Sequence, residues 1–486
     1  MTRLGTALAF STALALVSTG LVQPALAQDG QVMTTQDEIG GVYEGTFRGG
    51  LQHGIGTYKL PSGYEYSGEW VDGEIRGQGV ARYPNGAVYE GEFVKGKPEG
   101  LGKITFADGG TYEGEWSDGL INGKGVAVYA NGARYEGDFV NGQHHGTGVM
   151  QNPGGYEYAG DWIEGRKEGE GKITYPDGAT YEGGILDGQL HGIGTLIMPD
   201  GLVYEGEWAN NQMHGQGKLT QPNGDIYEGP LENGRRQGLG RQVHANGDIY
   251  VGDFADDLRH GNGTFTKTDG YVYEGEWLAG QIEGVGKVTY PDGSVYEGQF
   301  RDDLAEGLGK ITYPDGSTYE GDWIAGVIEG QGTATYPNGV VYSGGFKNAR
   351  NHGQGVMTYE SGYRYEGEWK DGQRHGAAKV TYADGSIYTG EFANSQRHGK
   401  GRIEMPGGFV YEGDWQEGKI TGTGVATYAN GDVYEGSFVN GKRQGPGLMR
   451  YATGQETSGA WENGALVTDG SDDASSTEPT DPADNN

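Results

Sequence analysis

The sequence predicts an all-β fold: an elongated, twisted, single antiparallel sheet built from consecutive β-hairpins. Three observations lead there. Tyrosine recurs every 23 residues from Tyr43 to Tyr434, eighteen times without an insertion or deletion. Within each repeat, apolar and polar residues alternate with the period of two that marks a strand. Glycine supplies 98 of the 486 residues and is accompanied by 33 tyrosines and 9 tryptophans. A flexible Gly-rich linker lacks such aromatics, whereas many short strands joined by tight turns need both.

The chain opens with a targeting pattern rather than a folded element. Arg3 precedes a mostly apolar run over 4–22, and Ala25-Leu26-Ala27 offers small residues around a cleavage point. Residues 1–27 therefore read as an export signal, which places the mature protein outside the cytoplasm: periplasmic, secreted or attached to the envelope. A polar lead-in occupies 28–42, the repeat array 43–464, and an acidic, aromatic-free tail 465–486. Cysteine is absent, so neither disulfides nor thiolate metal sites contribute. A net charge of −33 argues against a nucleic-acid partner.

The repeat is best read with its lead Tyr as position zero. In the unit starting at Tyr319, Tyr319-Glu320-Gly321-Asp322-Trp323 forms one strand and Gly330 to Tyr336 lies in the return strand. Pro337-Asn338-Gly339 then supplies turn chemistry before the next unit. Glycines recur at +2, +11 and +20, as in Gly45, Gly54 and Gly63 or Gly321, Gly330 and Gly339, and are taken as structural turn glycines. Glycine also recurs at +13, failing only at Ala378. Positions restricted to glycine need positive φ or close backbone approach. The inner loop usually has glycine at +7, with Asn211, Asp257 and Asp303 where it does not.

Tyr-Glu-Gly-Glu-Trp, a short loop, His-Gly-x-Gly and a closing Tyr-Pro-Asp-Gly resemble the MORN (membrane occupation and recognition nexus) repeat, best in the units at Tyr66, Tyr273 and Tyr365. The resemblance implies successive hairpins adding to one sheet. It further implies a scaffolding role at membranes and no catalysis or cofactor within the repeats.

A longer period overlies the short one. Position +4 alternates Phe with Trp, and a shift of 207 residues, nine repeats, maps each Trp position of the first half onto the second. This predicts duplicated blocks over 43–249 and 250–456. Repeats match worst over 198–267, where Pro230 removes a ladder donor from a strand; this stretch is either a bend or a specific partner site.

Candidate functional residues fall in three rows. Acids at +1 and +3 point off the sheet in unit after unit; paired catalytic carboxylates would instead sit in one cleft with contrasting environments, so cross-strand pairing is the simpler reading and no catalytic residue is assigned. Eight of the ten histidines, including His352, His375 and His398, share the position before the +11 glycine. Glu99, Glu168 and Asn122 replace them there, so loop hydrogen bonding accounts for the row better than a metal site. The third row is aromatic: Trp70, Trp116, Trp162, Trp208, Trp277, Trp323, Trp369 and Trp415, with Tyr83, Tyr129, Tyr290 and Tyr336. These rings form either the core or, where exposed, the candidate binding surface. Partners are then other envelope proteins or further copies of this chain, with envelope polysaccharide or membrane lipid headgroups as the alternative.

Thirty-six strands at roughly 4.8 Å give a sheet about 170 Å long before twist shortens it. Solution scattering should report a rod; a compact particle under about 70 Å across would contradict the expectation.

Overall fold

The computed structural model describes residues 30–467. The expected signal at 1–27 and the tail beyond residue 467 lie outside the described residues. Two compact units divide the chain, Met1–Ala245 and Asn246–Asn486, with their boundary inside the poorly matched stretch. Every regular element among the described residues is a strand. In the first unit strands run from Val32–Gln36 to Gly238–Val243, and in the second from Ile249–Ala255 to Ala465–Leu466. Within each unit, strands pair antiparallel with their neighbours in chain order, giving the open sheet of consecutive hairpins that the sequence predicts.

The hairpin follows from its turn residues. Glu65–Val71 and Glu74–Arg82 are joined by Asp72-Gly73 alone. Both turn residues are left-handed, φ 50° and 89°, the type I′ geometry whose twist matches the flanking strands. Asn211, Asp257 and Asp303 take the left-handed position where glycine is missing. Ala349 and Ser395 do so as well, without the side-chain chemistry that would announce it. Between repeats, Tyr83 N–H donates to the Ala87 carbonyl at 2.9 Å, and Asn85 Oδ1 accepts from the Ala87 amide at 3.1 Å.

The return strand carries an irregularity. Gly321 pairs with Gly332, but Trp323 pairs with Ile328, so the return strand holds two surplus residues. Gly330 absorbs the bulge at φ 91°, as Gly54 does at 85°. Gly63 and Gly339 are likewise left-handed, in the turns between repeats. Gly45 and Gly321 are not turn residues. They lie mid-strand, and close approach is the reason for glycine: a Cβ on Gly321 would fall 2.4 Å from the Gln331 oxygen and the Gly332 Cα.

That approach makes room for the lead tyrosine. Tyr319 lies across Gly321 and Gly332, and a Cβ on Gly332 would meet its ring at 2.4 Å. All eighteen lead tyrosines donate their hydroxyl to the carbonyl three residues on, at 2.7–3.2 Å. They are 0–2 % exposed. Burial pushes phenols such as those of Tyr66, Tyr112 and Tyr273 above their ordinary value. Most of the rings meet the +4 aromatic of their own and the next repeat edge-on, as Tyr89 meets Phe93 at 5.1 Å and Trp116 at 4.9 Å; Ile185 and Leu231 interrupt the ladder. All nine tryptophans reach back, each Nε1 donating to the +13 carbonyl of the preceding repeat at 3.0–3.4 Å.

The ends differ from the middle. Val32–Gln36, within the polar lead-in, pairs along the first repeat as an extra strand. At the other end Trp461–Glu462 pairs with Ala465–Leu466, and Leu466 sits 2.7 Å from where a Gly459 Cβ would stand, over the floor a lead tyrosine covers elsewhere. Around Pro230 the return strand splits into Arg235–Arg236 and Gly238–Val243, with Gln237 N–H turned to the Pro230 carbonyl at 3.1 Å.

Gly332→Val should lower stability by about 2 kcal/mol or more, since the ring above it has nowhere to go. Tyr319→Phe should cost about 1 kcal/mol for the lost hydroxyl bond, and Glu320→Gln almost nothing. Thermal melts of the three variants test the ranking.

Candidate binding surface

The tryptophans of the expected surface are not on it. Trp70, Trp116, Trp162, Trp208, Trp277, Trp323, Trp369 and Trp415 are only 3–7 % exposed, because the aromatic ladder and the indole bond draw them into the core. Tyr83, Tyr129 and Tyr290 are half-buried at the open side of this inner face, and Tyr336 is 39 % exposed. The structure therefore reduces the candidate row to its +17 tyrosines.

The outer face holds the acids. Lys103–Glu113, Lys172–Glu182, Lys287–Glu297 and Lys310–Glu320 pair across strands at 3.1–3.9 Å, all exposed and individually worth little. The +3 side chains do something the sequence did not disclose. In seven repeats they accept the +12 backbone N–H at the bulge, at 2.7–3.3 Å; Asp322 takes that of Gln331 at 2.7 Å. Lys124, and then the Thr147 amide, hold the Asp138 carboxyl below the ordinary range; Lys400 and the Thr423 amide do the same for Asp414. An acceptor there, an acid in six repeats and Gln299 in the seventh, satisfies an amide that the bulge takes out of the ladder.

Position +10, which the histidines share with Glu and Asn, includes side chains that brace the next turn. His53 Nδ1 accepts from Asp72 N–H, the first left-handed turn residue of the next repeat, at 3.4 Å. Glu99, Asn122, Glu168, Glu283, Glu306 and Glu329 do the same at 2.8–3.1 Å. Among the described residues no three His, Asp or Glu side chains gather as a metal site.

Two features escaped the sequence reading. Position +12 presents Ile55, Leu101, Ile193, Leu239, Val285 and Leu308 to solvent, each 59–69 % exposed. Position +9 points inward, yet alternates aliphatic residues such as Ile75 and Ile121 with His144, Lys167, Arg374 and Arg397. His144 stacks on Tyr135 with ring centres 3.7 Å apart and shares a 2.6 Å hydrogen bond with the Tyr129 hydroxyl; burial pulls its pKa down to about 4. Lys167 donates to the Tyr156 hydroxyl at 2.5 Å, and burial lowers it to about 8. Polar residues at an inward phase were the available signal.

With this geometry in place, comparison with known proteins is direct. The MORN repeat model matches eighteen consecutive segments from 43–63 to 434–456. The chain belongs to the MORN-repeat family, and with it comes the coarse role of a repeat-based binding scaffold. Alsin of Rattus norvegicus is similar at 44 % identity over 52 residues, 10 % of this chain and 3 % of that protein's length. Among solved structures, the TCP domain of SAS-4 with a proline-rich motif of Ana2 from Drosophila melanogaster aligns at 12 % identity, covering 41 % of this chain and 90 % of that one, TM-score 0.20. The TCP10 domain of Danio rerio CPAP in complex with a STIL peptide aligns at 13 % identity over 66 % of this chain and 94 % of that one, TM-score 0.13.

The His144 pKa predicts an acid response. Its folded value of about 4 lies below the ordinary 6.5, so the unfolded chain binds the proton more readily. The neutral ring's contribution is complete above pH 6.5 and is lost as pH falls from there towards 4. His144→Ile, copying Ile121, should make the melting temperature less sensitive over that window, by an equivalent of about 3 kcal/mol. Paired melts at pH 7 and 4 measure it.

Proposed function

We propose that this protein is a non-enzymatic, exported scaffold that organises protein partners at the cell envelope through a long multivalent surface. The observation that carries this reading is the outer +12 position, which in six of the eighteen repeats exposes an aliphatic side chain, as Leu308 opposite Asp322 and Leu101 opposite Glu115. Exposed apolar side chains recurring along one face favour partner contact, and a shared support turns individually weak contacts into avidity. Glu207, Asp253 and Asp322, which flank this row, are occupied in closing the bulges, which suits a surface that presents rather than reacts. Association with other envelope proteins, or with further copies of the chain, fits this surface.

Glutamine occupies the same position at Gln78, Gln331 and Gln354, so Leu308→Gln should leave folding intact. One such change should reduce capture of partners from envelope extract by less than about threefold, whereas all six together should reduce it tenfold or more. Immobilised full-length protein, run beside wall polymer and lipid vesicles, tests this; complete loss from one substitution would mean a single specialised site.

A further inference from the structure

The inner face of the second unit is not a uniform copy of the first. Its +17 row is an unbroken run of five phenols, Tyr290, Tyr313, Tyr336, Tyr359 and Tyr382. In the first unit Phe106, Asn152, Met198, Gln221 and His244 interrupt the same row. Three rings of the run, Tyr313, Tyr336 and Tyr359, are 36–39 % exposed, although most other aromatics on this face are buried. Consecutive repeats are two strands apart, so the phenols follow one another at roughly 10 Å.

Beside them lies a groove of about 440 Å³, open to solvent on one side. Tyr336, Tyr359, Tyr363, Asn351, Arg374 and Ser395 contribute to its walls. Tyr363 meets Tyr359 edge-on at 5.2 Å and Tyr382 at 5.6 Å, which joins the groove to the phenol run. The Arg374 guanidinium is held in place: it donates to the Tyr363 hydroxyl at 2.5 Å and to the Ser395 carbonyl at 2.9 Å, and packs over Tyr365 and Phe392. Those two bonds leave further donors of its five-donor fork for a ligand, and the ordering cost is met before any ligand arrives. Arg397 occupies the equivalent inward place in the next repeat. None of the described inward residues in the repeats starting at Tyr342, Tyr365 and Tyr388 is Asp or Glu, in a chain whose net charge is −33.

We propose that this groove of the second unit binds an acidic glycan, with the +17 tyrosines stacking on alternate sugar rings and Arg374 taking a carboxylate. A polar groove with exposed phenol faces suits pyranose rings, whose C–H faces stack on aromatics while their hydroxyls find amide, hydroxyl and guanidinium partners. A run of rings at constant pitch suits a polymer of constant repeat. A planar fork suits a carboxylate better than any other sugar substituent except a phosphate or sulfate ester. The open side lets a long chain pass through instead of being enclosed. The inner groove and the outer +12 row lie on opposite faces, so glycan binding goes beyond the protein scaffold and is tested separately from it.

Calorimetric titration of the full-length mature protein with oligogalacturonate and with oligomannuronate, each beside its carboxyl-reduced counterpart, tests the assignment. At least one acidic oligomer should bind, and its reduced form should bind about tenfold more weakly. Arg374→Gln should weaken the acidic oligomer to a similar degree and leave the reduced form unchanged; Gln52 already occupies this place in the first repeat, so the fold accepts it. The double change Tyr336→Gln, Tyr359→Gln, which gives two repeats the side chain that Gln221 carries at the same position, should weaken both forms. Melting temperatures confirm that the variants are folded. No binding of either acidic oligomer, equal affinity for the reduced forms, or wild-type affinity in folded variants would overturn the proposal. Tighter binding of a polyglutamate peptide than of either glycan would overturn it too, since the groove would then be reading carboxylates on a polypeptide.

Discussion

Everything in this fold depends on a phenol ring laid flat over two glycines. The +2 and +13 glycines face each other across the hairpin, and a side chain on either would strike the other backbone or the tyrosine above. With the ring down, its hydroxyl reaches the +3 carbonyl, and its edges meet the +4 aromatics of two successive repeats. Backbone approach, side-chain hydrogen bond and core packing are thereby one interaction. The usual second layer of a sheet protein is replaced by rings from the sheet itself.

The return-strand bulge is the counterpart of that arrangement. It brings the +11 glycine into left-handed geometry and turns the +12 amide out of the ladder, where in seven repeats the +3 side chain accepts it. An acid facing solvent thus has a conformational duty as well as a charge. The same economy governs position +10, where histidine, glutamate and asparagine interchange because each can accept from the next turn's N–H.

Periodicity made the hairpins, the left-handed glycines at +11 and +20 and the repeat boundaries legible, since each depends on local backbone geometry, although those at +11 sit in a strand bulge and not in a turn. Gly45 and Gly321 were misjudged as turn residues because a strand glycine and a turn glycine look alike in sequence; only the ring above tells them apart. The tryptophans could be core or surface by period alone, and their burial is decided by Nε1 reaching the preceding repeat, a contact between units that no single repeat reveals. The exposed +12 row and the inward arginines were hidden for a different reason: both sit at positions of variable composition, where averaging over repeats erases them. The unequal phenol runs of the two units show how much of the specific chemistry lies in such departures.

The indole bonds all point the same way along the chain, from each tryptophan to a carbonyl of the repeat before it. A polypeptide that appears amino end first, whether from a ribosome or through a translocation pore, therefore never waits for a later segment to complete these contacts. Each arriving indole finds its acceptor already set in the preceding hairpin, and Val32–Gln36 furnishes a starting edge before the first repeat is made. Assembly can proceed as deposition of one hairpin on the last, with little unpaired chain exposed at any moment. A sequence-reversed order of repeats, or release from the carboxyl end, would forfeit that advantage.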